Sequence, residues 1–124
     1  MESQNIVKHF SFPTKRYCQT LELKNDPELI REYKHWHKTE NRWPEIPEGI
    51  KQVGILEMEL YIFENKLFMI VETALDFDWD AAFEKLSTLD RQVEWEEFMS
   101  KFQHTKPGAS SVEKWNLMER IFSL

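Results

Sequence analysis

A tyrosine and a histidine four positions apart, in the first third of the chain, could carry out acid–base chemistry. Tyr33 and His37 follow a helix-start signal, and residues four apart lie on the same face of a helix, one turn from each other. An imidazole is the commonest general acid or base near neutrality, and a phenol can orient a substrate oxygen through a hydrogen bond. Glu45, which follows Trp43 closely, could fix the imidazole tautomer or act as the second proton-transfer group. The alternative is that Tyr33 and His37 only pack an amphipathic helix, with Trp43 as a plug and Glu45 as a solvated charge.

The composition is that of a single acidic domain. The 124 residues are enough to bury a core, and the charged and apolar fractions of 31% and 41% are ordinary for a soluble protein. The net charge of -6 argues against nucleic acid and against an anionic membrane as partner. Aromatic residues make up 14% of the chain, with five Trp and nine Phe, and such side chains form flat walls on which ligands stack.

Cysteine usage and the start of the chain favour a cytoplasmic location. Cys18 is the single cysteine, so an internal disulfide and a multi-cysteine zinc site are excluded, and a reducing compartment fits. Residues 1–5 lack the basic start and the apolar run of a signal peptide. No apolar stretch approaches the roughly 20 residues of a membrane span, so we expect no membrane partner.

Metal and phosphate motifs are not evident in the sequence. His35 and His37 are two positions apart, so on a helix their rings point in different directions and form a poor chelate. The glycines at 49, 54 and 108 are isolated, so there is no phosphate-binding loop. Cys18 lies in a predicted strand, where a packed small side chain is a simpler interpretation than a nucleophile. We therefore expect no metal centre.

Periodicity and turn residues predict the element order β-α-β-β-α(α)-β. Alternating or continuous apolar residues predict four strands, at 16–24, 53–63, 67–71 and 115–122. Helix-start residues and apolar spacing predict helices that begin at Asp26–Pro27, Asp76 and Thr88. We expect the first helix to end near Thr39, a turn or short helix at 43–51, and a loop at 103–111.

This order predicts an α+β fold of the ferredoxin-like type, an antiparallel four-stranded sheet with helices on one face. The other face of the sheet has no partner within the chain. If that face is apolar, two copies can close sheet to sheet into a homodimer, a dimeric α/β barrel. Residues 1–14 are expected to form an N-terminal extension, laid over the domain through Phe10 and Phe12, ahead of a single domain at 15–124.

Two motifs near the start of the domain resemble those of the L-rhamnose mutarotase family. Glu32-Tyr33-x-x-x-His37 is similar to the family's E-Y-x-x-x-H on its first helix, and Trp43-Pro44-Glu45-Ile46 is similar to the W-P-E-L that follows. The similarity continues through Gly54, the Tyr61 strand, the strand at 67–72 and the helix with Trp95 and Met99, and covers most of 15–124. The resemblance implies exchange of sugar anomers without a cofactor, in a ferredoxin-like domain that dimerises through its sheet.

The resemblance also implies roles for individual residues. His37 falls on the proton-donating histidine of the family, and Tyr33 falls on its substrate-contacting tyrosine. Trp95 matches the first of two adjacent tryptophans that contact the sugar, whereas the second position is Glu96 in this chain. An aromatic ring at Trp95, like that of Trp43, would stack on the apolar face or methyl group of a deoxysugar.

Met58 and Tyr61 concern the choice of sugar, and Glu45 and Glu96 concern the second proton-transfer group. Met58 stands where the family has a substrate tyrosine, and Tyr61 matches a tyrosine three positions later. These departures lie in the sugar pocket, so L-fucose is as reasonable a substrate as L-rhamnose. The base that would act with His37 is open between Glu45 and Glu96.

Two other function classes remain open from the sequence. Dimeric ferredoxin-like domains also serve as small monooxygenases or decarboxylase-like enzymes, and binding of a haem or quinone-type substrate would change visible absorbance. The altered pocket and the extension at 1–14 are also compatible with a non-catalytic sugar-binding or interaction module. Such a module would bind a monosaccharide saturably and leave the rate of anomer exchange unchanged.

Overall fold

The computed structural model describes residues 5–106 and 108–124, and within them one four-stranded sheet forms the centre of the fold. Its strands are β1 Thr14–Glu22, β2 Ile55–Phe63, β3 Lys66–Ala74 and β4 Asn116–Met118. They lie in the order β2-β3-β1-β4, and every neighbouring pair is antiparallel. This is the strand order of the ferredoxin-like fold, so the predicted α+β class is confirmed.

The helices of the described chain pack against one face of this sheet. They are α1 Pro27–Trp36, α2 Glu45–Gln52, α3 Trp79–Leu86, α4 Gln92–Ser100 and α5 Ser111–Lys114. Leu21 and Leu67 on the sheet are buried together with Tyr33 of α1 and with Trp95 and Phe102 at α4. Within the part of the chain that the structure describes, no helix is long and apolar enough to cross a membrane.

Helix α1 begins where the sequence predicts and ends earlier. The Asp26 carboxylate accepts hydrogen bonds from the backbone N–H groups of Glu28 and Leu29 at 2.9 and 3.3 Å, and Pro27 occupies the first turn. These groups satisfy the free donors of a helix start. The helix ends at Trp36, before the predicted Thr39, because Asn41 donates its side-chain amide to the carbonyl oxygen of His35 at 3.0 Å. His37 is therefore the C-cap residue, directly after the last helical turn.

The last part of the chain differs most from the prediction. The strand predicted at 115–122 is limited to β4, which pairs only with Cys18, Gln19 and Thr20 of β1. The predicted loop at 103–111, of which residue 107 lies outside the described residues, leads into the short helix α5. The signal for α5 is in the sequence: Ser110 donates its backbone N–H to the Glu113 carboxylate at 2.9 Å in a capping box.

The face of the sheet away from the helices carries a mixed set of side chains. By register, Cys18 of β1 lies opposite Ile70 of β3, which lies opposite Glu59 of β2. The chain ahead of β1 reaches the edge strand β2, since Lys8 forms an ion pair with Glu57 of that strand at 3.3 Å. Residues 1–4 of the predicted extension lie outside the described residues.

Candidate active site

A cavity of about 580 Å³ lies between the sheet and the helices. Tyr33 and His37 at α1, Trp95 and Glu96 on α4, and Gln19 on β1 line it. Its volume is within the range of small-molecule sites, roughly 300–1,000 Å³, and its walls combine aromatic rings with a few polar groups. The cavity therefore suits a ligand of monosaccharide size.

The imidazole of His37 is held by the preceding turn of α1. Its Nδ1 lies 2.7 Å from the backbone carbonyl oxygen of Tyr33, and because a carbonyl only accepts, Nδ1 carries the proton. The ring packs on the Tyr33 ring at 4.2 Å and against Trp95 at 5.5 Å between centroids. This packing lowers the pKa of His37, and the hydrogen bond to Tyr33 opposes that shift in part. Nε2 is left as the nitrogen that can exchange a proton with a ligand.

The Tyr33 side chain is almost completely buried beside His37. Only 3% of the residue is exposed, and burial raises the pKa of its hydroxyl far above the ordinary value of 10.0. A hydrogen bond with the Gln103 side chain acts in the opposite direction, and the negative charge of Glu96 adds to the rise of this pKa. Tyr33 is therefore a neutral hydrogen-bond donor at physiological pH.

Glu96 enters the cavity as an oriented carboxylate. Its Oε1 accepts a hydrogen bond from Gln92 at 3.0 Å, and its Oε2 lies 3.1 Å from the Lys114 ammonium. Lys114 also donates to the backbone carbonyl oxygen of Glu96 at 2.6 Å, and its side chain is 0% exposed. The ammonium compensates the charge of a carboxylate that is itself only 19% exposed. No feature of the sequence pointed to Lys114.

Aromatic side chains form one wall of the cavity. Trp43 lies 5.1 Å from Trp95 between ring centroids and stacks on Phe98 at 5.6 Å. The Arg91 guanidinium sits 4.0 Å above the Trp43 ring, which is cation–π geometry. Since Trp95 also contacts His37, this apolar wall is continuous with the acid–base group.

The remaining predicted residues are placed differently from one another. Met58 of β2 lines the cavity. Tyr61 borders it only from the edge strand, since its side chain lies on the other face of the sheet, is 41% exposed and donates its hydroxyl to Glu59 at 2.9 Å. Glu45 does not line the cavity. Its carboxylate lies 3.8 Å from Arg91, because the first turn of α2 faces the residue that precedes α4. The structure thus brings Glu96, and not Glu45, to Tyr33 and His37.

Three buried carboxamides in the cavity were missed by sequence reasoning. Gln19, Gln92 and Gln103 are only 3%, 6% and 3% exposed, and all line the cavity. The signal for Gln19 was its position in the strand alternation, on the same side as the buried Leu21. For metal binding, no group of three or more His, Cys, Asp or Glu side chains comes together within residues 5–106 and 108–124.

The chain is similar in sequence to known proteins. Residues 16–124 match the family described as L-rhamnose mutarotase. The chain is 35% identical over 109 residues to an L-fucose mutarotase of Xanthomonas campestris pv. campestris, covering 88% of this chain and 87% of that protein. It is 38% identical over 114 residues to a UPF0734 protein of Dictyostelium discoideum, covering 89% and 90%.

The fold also matches a solved structure. The crystal structure of an L-rhamnose mutarotase from Formosa agariphila superposes with a TM-score of 0.66 at 20% identity, over 89% of this chain and 98% of that one. At this identity the superposition shows a shared fold. Together with the match over residues 16–124, it confirms the resemblance that the motifs predicted: the chain belongs to the L-rhamnose mutarotase family.

Proposed function

We propose that this protein is a mutarotase that interconverts the α and β anomers of a deoxyhexose pyranose, L-rhamnose or L-fucose, without a cofactor. The observation that carries the proposal is the cavity, in which the imidazole of His37, the phenol of Tyr33 and the carboxylate of Glu96 face one space of monosaccharide size. Family membership supports the reaction type.

The reaction opens the ring between C1 and O5, allows rotation about C1–C2, and closes the ring on the other face. Opening requires one proton to be given to O5 and one to be taken from the anomeric hydroxyl, and closing reverses both transfers. His37 gives the proton to O5 from Nε2 of its imidazolium form, and it returns to the neutral ring whose remaining proton, on Nδ1, is engaged by the Tyr33 carbonyl. Acid–base catalysis of this kind contributes on the order of 10²–10⁴-fold.

Glu96 is the group that takes the proton of the anomeric hydroxyl. It is a carboxylate that lines the cavity, and its orientation is supported by Gln92 and Lys114. Glu45 is less suitable because it pairs with Arg91 outside the cavity. In the productive state His37 and Glu96 together hold one transferable proton. On ring opening His37 donates it and Glu96 accepts the proton of the anomeric hydroxyl, and on ring closing the two roles are reversed.

The aromatic wall holds the apolar face of the sugar. Trp43 and Trp95 present two rings 5.1 Å apart next to His37, and stacking there suits the methyl group of a 6-deoxy sugar. Met58 lines the cavity from β2 and shapes the same pocket, whereas the Tyr61 side chain lies on the other face of the sheet with Glu59. The curated L-fucose mutarotase relative supports L-fucose, and the family description supports L-rhamnose.

We further propose a cytoplasmic homodimer that forms through the sheet face away from the helices. Exposed apolar residues support this, since Phe63 of β2 and Met118 of β4 lie on this face by register and are 64% and 46% exposed. Such surface is usual at interfaces. Residues 1–14 are an extension ahead of this domain, which the start of the family match at 16 supports, although the last of them, Thr14, already belongs to β1.

The test measures saturation transfer between the anomeric protons of L-rhamnose and L-fucose with and without the protein. We expect accelerated exchange for at least one sugar, its loss in His37→Asn, and a smaller loss in Tyr33→Phe. His104→Asn is the matched control, because His104 is exposed and does not line the cavity. Normal exchange in His37→Asn would refute the role of His37, and saturable binding without acceleration would instead indicate a sugar-binding module.

A further inference from the structure

The carboxamide oxygen of Gln103 is a buried acceptor without a donor. Gln103 is 3% exposed and lines the cavity, and its Oε1 has no hydrogen-bond partner within the part of the chain that the structure describes. Leaving a buried acceptor unpaired is unfavourable, and most buried polar groups in proteins are satisfied. The position is not a flexible one, since the Gln103 N–H bonds to the Met99 carbonyl at 3.2 Å and its backbone bridges to Leu23.

Tyr33 lies near this carboxamide. Both side chains line the cavity, and the Tyr33 ring packs 5.9 Å from the ring of Phe102, the residue before Gln103. Gln103 lowers the pKa of the Tyr33 hydroxyl, as a hydrogen-bond donor does, and because Oε1 is without a partner, the amide nitrogen is the group in position to donate. A phenol oxygen that accepts a hydrogen bond keeps its own O–H proton for another acceptor. Tyr33 and Gln103 therefore present one free donor and one free acceptor next to each other.

A sugar hydroxyl is the complement of this pair, because a hydroxyl both donates and accepts. We propose that Tyr33 and Gln103 together bind one ring hydroxyl of the sugar, with the Tyr33 O–H donating to its oxygen and Gln103 Oε1 accepting its proton. This inference rests on the proposed mutarotase function and adds Gln103 as a specificity-determining residue. The hydroxyl lies close to the reacting groups, since the rings of Tyr33 and His37 are 4.2 Å apart.

The pair selects for configuration at one carbon of the ring. A fixed donor beside a fixed acceptor is satisfied by a hydroxyl in one orientation, and the epimer leaves both buried groups unpaired. L-rhamnose and L-fucose differ in configuration at C2 and C4, so if Tyr33 and Gln103 bind the hydroxyl at either carbon, they discriminate between the two sugars. Gln103 replaced by an apolar side chain of similar size should reduce this discrimination.

The experiment compares wild type with Gln103→Leu on the better of the two sugars and on its 2-, 3- and 4-deoxy derivatives. Wild type should lose about 3- to 10-fold in kcat/KM, mostly through KM, on the one derivative that lacks the hydroxyl. With Gln103→Leu, the value of kcat/KM should already be reduced by this factor on the parent sugar, and it should fall no further on the derivative that lacks the hydroxyl. Gln52→Leu, an exposed glutamine that does not line the cavity, is the matched control.

A second variant keeps the test independent of folding. Tyr33→Phe removes the donor and should be insensitive to the same deoxy derivative as Gln103→Leu. If Gln103→Leu slows all sugars equally, or if the derivative affects variant and wild type alike, the inference is wrong. If wild type accelerates no anomer exchange, the proposed function fails. Dissociation constants of the same sugars and variants, measured by calorimetry, then decide the inference. It is supported if the deoxy derivative weakens binding to wild type but not to Gln103→Leu, and it is overturned if the two effects add or if no sugar binds.

Discussion

Replacing Lys114 by methionine should reveal how strongly the buried ion pair supports the site. The Lys114 ammonium lies 3.1 Å from Oε2 and 2.6 Å from the backbone carbonyl oxygen of Glu96, with no exposed side-chain surface. Methionine has a similar length and fills the same space without the charge. The substitution therefore leaves the volume of the core nearly unchanged and removes one charge and its hydrogen bonds.

The size of the effect follows from the burial of the two partners. Removing one member of a buried ion pair costs roughly 3–5 kcal/mol because the other charge stays uncompensated. Glu96 retains 19% exposure and a second hydrogen bond from Gln92, so water offsets part of the loss. We expect the free energy of unfolding to fall by about 3 kcal/mol. Adding Glu96→Gln to Lys114→Met should recover part of it, since the unpaired charge is then absent.

The assay is urea unfolding monitored by circular dichroism. The variants can be compared when the free energy of unfolding depends on urea concentration with the same slope in each. The control is Lys101→Met: Lys101 lies 3.2 Å from Glu32, but these side chains are 54% and 38% exposed. A surface pair of this kind contributes about 0–1 kcal/mol. If Lys114→Met is no more destabilising than Lys101→Met, burial does not determine the strength of the pair and the reasoning is refuted.

Two further predictions concern His37 and the aromatic wall. Because the folded state lowers the pKa of His37, NMR titration should find this pKa below the ordinary 6.5, and the protein should lose stability as pH falls below about 6.5. The variant His37→Asn should lose less stability over the same pH interval. A pKa of His37 at or above 6.5 would contradict the packing argument. Trp95→Phe keeps an apolar ring in the core but shortens the surface beside Trp43. It should raise KM for the deoxysugar more than it lowers kcat, measured by saturation transfer, and an unchanged KM would show that this wall does not bind the sugar.

The sequence by itself determined the local parts of this protein. Asp26 and Pro27 start α1 through hydrogen bonds to the next residues, and the hairpin of β2 and β3 follows from apolar strands joined by a short turn. The order of these elements is enough to select the ferredoxin-like sheet. Tyr33 and His37 could be placed side by side for the same reason, since their spacing on one helix sets their contact.

Tertiary packing alone decided which polar groups complete the site. Lys114 reaches Glu96 from a short helix 18 residues further along the chain, and Gln103 enters the same cavity as Tyr33 from beyond α4. Glu45, close to His37 in sequence, turns toward Arg91. Side chains on separate elements meet according to helix orientation and sheet register, and no local spacing records these. The sequence left the carboxylate open between Glu45 and Glu96, and the choice between them, like the carboxamides of the cavity, became accessible only when the helices were placed on the sheet.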